Sequence, residues 1–354
     1  TFLHAFRNPA HERAMAEILA RHLPNAALSL SSEVAPAIGE YERATTTVAN
    51  AYVQPVVRRY LRRLAEGMRA LGIGSELLLM QSDGGTIHQA AAMRHPVRLV
   101  QSGPAGGAQA TALAGAAVGA RDLLAFDMGG TTAKPCLVTD GEPARTAVFE
   151  VARIARFRPG SGLPLLVPAI DMIEIGAGGG SIARRDELGL LKVGPDSSGA
   201  DPGPPCYGLG GTLPTVSAAN LLLGYLNPDY FLGGTIPLRP DLARDTVAGL
   251  ASELGLSVEA TAWGIHRVVN ENMAAAARVH IIERNRDPRS LATIAFGGAG
   301  PAHAAAVARI LGSPTVIFPP GAGVASAFGA LVAPIAFTAG RTLMTTLDAA
   351  DWTE

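Results

Sequence analysis

The chain has 354 residues, 48% apolar and 17% charged, with a net charge of −1. That length suits one large or two medium domains with a sizeable core. The balanced charge excludes the basic surface that would hold nucleic acid or an anionic membrane.

In chain order, Asn8 and Pro9 mark a helix start, and the helix is expected to run to about residue 22. A helix so close to Thr1 reads as a start inside a domain, so a central piece of a longer polypeptide is expected. Residues 26–31 (AALSLS) read as a strand. Residues 36–71 read as one or two helices, because Ile38, Tyr41, Thr45, Val48, Tyr52 and Val56 fall near the helical period, with Pro55 as a kink. ELLLMQS (76–82) reads as a strand closed by the turn Asp83-Gly84-Gly85. VRLVQSG reads as a short strand running into GPAGG, with ATALAGAAVGA helical after it. From residue 123 the rhythm changes. LLAFDM, AKPCLVT and RTAVFEVA read as three strands, joined by GGTT and by Asp140-Gly141-Glu142-Pro143, where Asp-Gly is a hairpin signal. Residues 153–215 are rich in Gly and Pro, with a strand (LLVPAIDMIEIG) and a hairpin (SIARRDELGLLKVG). Helices are expected at 216–226, 240–254 and about 258–286. TIAFGGAGPAHAAAVARILG reads as strand, glycine turn, helix, and TVIFPPGAGVASAFGALVAPI repeats that order. Residues 310–340 are uncharged, but Gly312, Pro314, Pro319, Pro320 and Pro334 interrupt them, so no membrane span is expected. Two cysteines, Cys136 and Cys206, are too few for a disulfide framework, and a reducing, cytoplasmic setting is expected.

Four glycine turns carry the chemistry. In DMGGTT, exposed N–H groups at Gly129-Gly130 form a concavity for an anion, and Thr131 and Thr132 add hydroxyls. Asp127 at the strand end can hold Mg²⁺ directly or through water. No GK[ST] follows and the next element is a strand, so this is no Walker loop; the alternative is a plain hairpin turn. In FGGAGP, Gly297 and Gly298 let a flat ring or a phosphate approach, and a helix N-terminus favours anions. The alternative is an ordinary strand-helix connection, and His303 reads as packed or solvated. SGPAGG (102–107) has the same form and the same alternative. GAGGGS (176–181) follows Asp171 and Glu174. Its apolar flanks favour a fixed loop that wraps a ligand over a flexible one. The odd offset of Asp171 and Glu174 argues against a carboxylate dyad. No zinc or nucleophile-elbow pattern is present, and Cys206 reads as a buried thiol.

A three-strand unit opening on D-x-G-G-T-T, with a late strand-G-G-A-G-P-helix, resembles the second half of the actin, sugar kinase and chaperone ATPase fold. IGAGGGSIA, LKVGPDSSGADPGPPCYGLGGTLPTV, ANLLLGYLNPDYFLGG, FGGAGPAHA, SSEVAPAIGEYERATTTVANAYV and LVQSGPAGG resemble the hydantoinase/oxoprolinase family, of the hydantoinase A or acetone carboxylase beta-subunit type. The resemblance runs from about residue 3 to 347. It implies an α/β fold of ribonuclease H-like subdomains, with mixed sheets flanked by helices. Residues 1–121 would be the remainder of a first half. Residues 122–345 would be the second half, with 153–235 inserted, and 346–354 the start of a further region. It implies ATP with Mg²⁺ or Mn²⁺, and phosphorylation of a cyclic amide carbonyl of the hydantoin, N-methylhydantoin or 5-oxoproline type. A ketone carboxylase beta subunit and a non-catalytic assembly module are the alternatives. By position, Asp127 would hold the metal and, with Thr131, serve catalysis. Gly129, Gly130, Thr131 and Thr132 would line the β/γ phosphates, and Gly297, Gly298 and Gly300 the nucleoside. Gly178, Gly179, Gly180 and Ser181 would lie at the substrate end. A partner subunit of the hydantoinase B type and an oligomer are expected, and the piece alone is expected to be inactive. Lys134, Ile173 and Ala218 depart from the commoner family pattern, which has Asp, His and Asp there.

Overall fold

The computed structural model describes residues 1–154, 160–336, 338, 340, 342 and 344–350. Residues 155–159 of the expected insertion and 351–354 of the expected terminal region lie outside the described residues. The chain forms two compact units. One comprises Thr1–Ala105, Arg145–Ile170 and Ala333–Glu354, the other Gly106–Ala144 and Asp171–Val332. These units differ from the sequential division at 121/122 and 345/346. The chain leaves the second unit at Arg145 and returns at Asp171, and in between its short strands pair outside that unit's sheet.

The first unit holds helices α1 (Ala10–His22), α2 (Ser31–Val34) and α3 (Glu40–Ala70), strands β1 (Leu78–Met80) and β2 (Thr86–His88), and α4 (Gln89–Arg94). Residues 26–30 form no ladder, contrary to the strand expected there. Ser31 opens a helical turn instead, because the Glu12 carboxylate takes the Ser31 hydroxyl at 2.5 Å and the Ser32 N–H at 2.9 Å. Helix α3 is one helix, continuous through Pro55. Tyr41, Val48, Tyr52 and Val56 face solvent, Tyr52 at 84% exposure, while Arg43, Thr46, Asn50 and Gln54 are buried. Carbonyls at the end of α4, before α3 and near the start of the chain lie beside that face and need donors. Asn50 and Gln54 donate to Arg94 O, and Arg43 donates to Ala37 O and Phe2 O. Burying those carbonyls unpaired would cost more than exposing an apolar stripe.

Helix α5 (Ser102–Ala117) leads into the second unit; the strand expected before it is a 3₁₀ turn, Pro96–Leu99. Strands β3 (Leu123–Met128), β4 (Ala133–Thr139) and β5 (Glu142–Pro143) follow. Asp140 and Gly141 both have positive φ, 53° and 84°, as a two-residue hairpin turn requires. The third expected strand is cut short. Only β5 joins the sheet, and β6 (Arg145–Thr146) and β7 (Phe149–Val151) pair with β9 (Ala169–Ile170) and β8 (Leu163–Leu165) in the first unit. The second unit continues with the hairpin β10 (Ser181–Arg185) and β11 (Leu191–Ser197). Helices α6 (Val216–Leu222), α7 (Pro240–Leu254) and α8 (Val258–Ile282) come next, then β12 (Ala292–Phe296), α9 (Gly300–Leu311), β13 (Val316–Ile317) and α10 (Ala325–Val332).

Its sheet runs β13-β12-β3-β4-β5, with β3, β12 and β13 parallel and β4 antiparallel to its neighbours. In order of appearance that is fifth, fourth, first, second, third, the mixed ribonuclease H-like arrangement of the actin-like superfamily. The core lies between this sheet and α8, with Phe126, Met128, Ile265, Met273 and Ile281 almost fully buried. Among the described residues no helix is long and apolar enough to cross a membrane.

Candidate functional site

Strands β3 and β12 are parallel neighbours, and Phe296 lies opposite Asp127. Both therefore leave the sheet at the same edge, and the glycine turns that follow them come out side by side. Parallel strands commonly build ligand sites at this carboxyl edge. The turn after β3 is closed by Gly129 N–H donating to Thr132 O at 3.0 Å. Its tip, Gly130 and Thr131, is exposed, and among the described residues no backbone carbonyl accepts the N–H of either. Two outward N–H groups at a turn make an anion-binding concavity.

The turn after β12 is fitted to the first. Gly297 has φ +85°, and a Cβ there would run into Asp127 Oδ1 and Met128 O. Ala299 N–H donates to Met128 O at 2.9 Å, and Gly300 opens α9 against the backbone of Phe126 and Met128.

The loop 176–181 packs behind the phosphate-type turn. Gly179 N–H donates to Gly129 O at 3.0 Å and Gly180 N–H to Gly130 O at 2.6 Å. A Cβ on Gly178 would stand 2.5 Å from Gly130 C and Thr131 N. Gly178 N–H donates to Ser181 Oγ and Ser181 N–H returns to Gly178 O, so all four N–H groups of 178–181 are used inside the protein. The loop is a brace that moulds the turn. Every site residue expected from the sequence thus falls in one place in the second unit: Asp127, Gly129–Thr132, Gly178–Ser181 and the 297–300 turn.

Charge sharpens the picture. Burial pushes the Asp127 carboxyl up to about 6, and nearby Lys134 pulls it down. Lys134 lies across the ladder from Asp127, and its Nζ is 3.3 Å from Glu174 Oε1. The lysine thus serves two carboxylates. Among the described residues no three His, Cys, Asp or Glu side chains cluster. One carboxylate at an anion-binding turn would suit an ion that keeps most of its waters, such as Mg²⁺, better than a metal held entirely by protein. Asp171 pairs with Arg284 and Glu174 with Lys134, so they form no dyad.

Other motif residues are structural. Ile173 packs on the core and Ala218 is wholly buried. Gly106 and Gly107 lie where α5 meets Gly329 of α10 and Phe296, so this stretch of SGPAGG serves helix packing. Sequence reasoning missed Glu174 as the partner of Lys134. It also missed Ser217, whose N–H takes Gly179 O at 2.7 Å. Both act across long sequence separations that local spacing does not encode.

Residues 43–339 match the family model of hydantoinase/oxoprolinase. Over 350 residues the chain is 40% identical to the caprolactamase subunit alpha of Pseudomonas jessenii, covering 98% of this chain and 49% of the relative. It is 34% identical to the 5-oxoprolinase of Saccharomyces cerevisiae, covering 94% of this chain and 26% of that protein. Acetone carboxylase, in a nucleotide-free structure, superposes with a TM-score of 0.80 at 30% identity, over 94% of this chain and 46% of that one. The chain spans about half the length of the first curated relatives it matches.

Proposed function

The chain belongs to the hydantoinase/oxoprolinase family, and from that premise we propose that it is the phosphate-handling part of an ATP-dependent enzyme that opens a cyclic amide. The observation that carries the reading is the convergence of the Gly129–Thr132 and Gly297–Gly300 turns on Asp127 at one sheet edge. The free N–H groups of Gly130 and Thr131 would take β/γ phosphate oxygens, and the Thr131 and Thr132 hydroxyls would add donors. The 297–300 turn would border the nucleoside. Asp127 would hold Mg²⁺ or its water shell, and the ion would neutralise charge on the phosphates. The 178–181 loop would keep the turn in shape at the substrate end of the cleft.

Transfer of the γ-phosphoryl to the amide oxygen turns that oxygen into part of a leaving group. Two waters are consumed overall, and the products are an open-chain amino acid, ADP and phosphate. The contribution of these residues is positioning and charge neutralisation. The similarity to caprolactamase and 5-oxoprolinase supports a lactam-type substrate. The structural likeness to acetone carboxylase supports a second reading, phosphorylation of an enolisable ketone and bicarbonate. Relatives named as subunits support a partner chain; that it is of the hydantoinase B type, in a cytoplasmic oligomer, is our proposal.

Titration calorimetry of the full natural polypeptide with Mg²⁺-ATP tests the nucleotide reading. Binding is expected, with its loss in Asp127→Ala; equal affinity in that variant would remove Asp127 from the site. ATP turnover that depends on a hydantoin, 5-oxoproline or caprolactam supports amide opening, and dependence on a ketone with bicarbonate supports the carboxylase. The 354 residues alone are expected to show no turnover.

A further inference from the structure

Behind the turns, four buried polar side chains form one chain of hydrogen bonds. His266 Nδ1 lies 3.0 Å from Asn220 Oδ1, Asn220 Nδ2 2.8 Å from His303 Nε2, and His303 Nδ1 2.7 Å from Asn270 Oδ1. All four residues are at most 2% exposed. With the amide oxygens and nitrogens placed this way, their chemistry fixes each shared proton. An amide nitrogen only donates and an amide oxygen only accepts, so His303 accepts at Nε2 and donates from Nδ1, and His266 donates from Nδ1. Accepting at Nε2 makes the His303 imidazole neutral. Burial, reinforced for His303 by the neighbouring His266, pushes the basicity of both imidazoles down, that of His303 to about 3. The His266 ring is stacked among Tyr225, His303 and Trp263 at 4.7, 4.6 and 5.6 Å between centroids, which holds its orientation.

The placement of the four residues gives the chain its meaning. Asn220 is on α6, whose first turn holds the brace loop through Ser217 N–H and Gly179 O. His303 is in the first turn of α9, directly after the Gly297–Gly300 turn. His266 and Asn270 lie one turn apart on α8, the helix that both others pack against. The brace loop and the second glycine turn also approach each other at Gly179, where a Cβ would come within 3.8 Å of Ala299 Cβ.

We propose that Asn220 and His303 are positioning residues. Through α8 they lock the brace loop and the Gly297–Gly300 turn in one relative placement, and so set the slot in which nucleotide lies. This rests on the nucleotide reading above. Asn220 is the key member, because it joins the two imidazoles, accepting from His266 and donating to His303, and no ionised carboxylate of the same shape can do both.

The test is Asn220→Asp, which keeps the shape and reverses one donor, beside His303→Gln, which retains one acceptor and one donor. Both are made in the full natural polypeptide and assayed for Mg²⁺-ATP binding and for KM and kcat. Asn220→Asp is expected to weaken ATP binding and raise its KM about 10-fold with kcat within about 3-fold, and His303→Gln to stay near the parent. Wild-type affinity in a folded Asn220→Asp overturns the proposal and leaves the nucleotide reading standing. Absence of ATP binding in the parent overturns both. If Asn220→Asp does not fold, Asn220→Ala takes its place with the same expectations. In ¹⁵N spectra of the parent, His303 is expected to carry its proton on Nδ1 between pH 5 and 8. A proton on Nε2 overturns the chain of bonds itself.

Discussion

At the scale of single residues, the site rests on the absence of side chains. Gly178 and Gly297 stand where a β-carbon has no room, the first against Gly130 and Thr131, the second against Asp127 at positive φ. Gly178→Ala and Gly297→Ala are each expected to lower stability by roughly 1–3 kcal/mol in urea titrations and to abolish ATP binding. Gly130 and Gly298 meet nothing within 4 Å. Alanine there is expected to change stability by less than about 0.5 kcal/mol. Equal losses at all four positions would refute this account of the site. Asp127 adds a pH signature. Its folded carboxyl titrates near 6, above the ordinary unfolded value. Between about pH 4 and 6 the folded state therefore holds the extra proton, and stability contributed by this group falls as pH rises through that window. Asp127→Asn is expected to be the more stable protein above pH 6, by roughly 1–2 kcal/mol in urea titrations at pH 7.5. The glycines and Asp127 were legible in the sequence because turn chemistry is local. The Lys134–Glu174 pair and the Asn220–His303 bond were not, because they join residues brought together only by the tertiary fold.

At the scale of elements, the parallel pairing of β3 with β12 does the organising. It was readable in outline, since two apolar runs each ended in a glycine turn. That those ends are neighbours follows from strand order, which no local pattern specifies. Packing of α5 on α10 shows the same limit. SGPAGG shares the strand-Gly-helix pattern of FGGAGP in the sequence, yet Gly106 faces Gly329 so closely that a Cβ on Gly329 would overlap Gly106 O. Gly329→Ala is expected to lower the unfolding midpoint markedly in a urea titration, whereas Gly323→Ala, which meets nothing within 4 Å, is expected to leave it unchanged. Helix α3 was legible in the sequence, but its inward side was not. Apolar spacing names a face as buried only when the opposite face has no stronger claim, and Arg43, Asn50 and Gln54 satisfy carbonyls that apolar groups could not.

At the scale of the whole molecule, buried imidazoles govern the acid limb of stability. Burial pushes His95 and His280 down to about 4 and His303 to about 3. An unfolded chain would protonate all three near pH 6.5, so their contribution is complete above that value and drains away as pH falls through the folded values. At full linkage His280 and His303 are each worth a few kcal/mol, and half-buried His95, screened by solvent, less; together they outweigh the opposite slope of Asp127. The urea midpoint is expected to drop steeply between pH 6.5 and 4.5; a flat profile would contradict the neutral, buried placement of these rings. The outward stripe of α3 has a practical consequence of another kind. Tyr41, Val48, Tyr52, Val56 and Tyr60, all more than half exposed, run along one side of a single long helix. Such a surface sticks. The purified chain should light up an apolar dye such as anilinonaphthalene sulfonate while still folded, and should lag on a phenyl column, and Tyr52→Lys with Val56→Glu should make it quieter and more soluble.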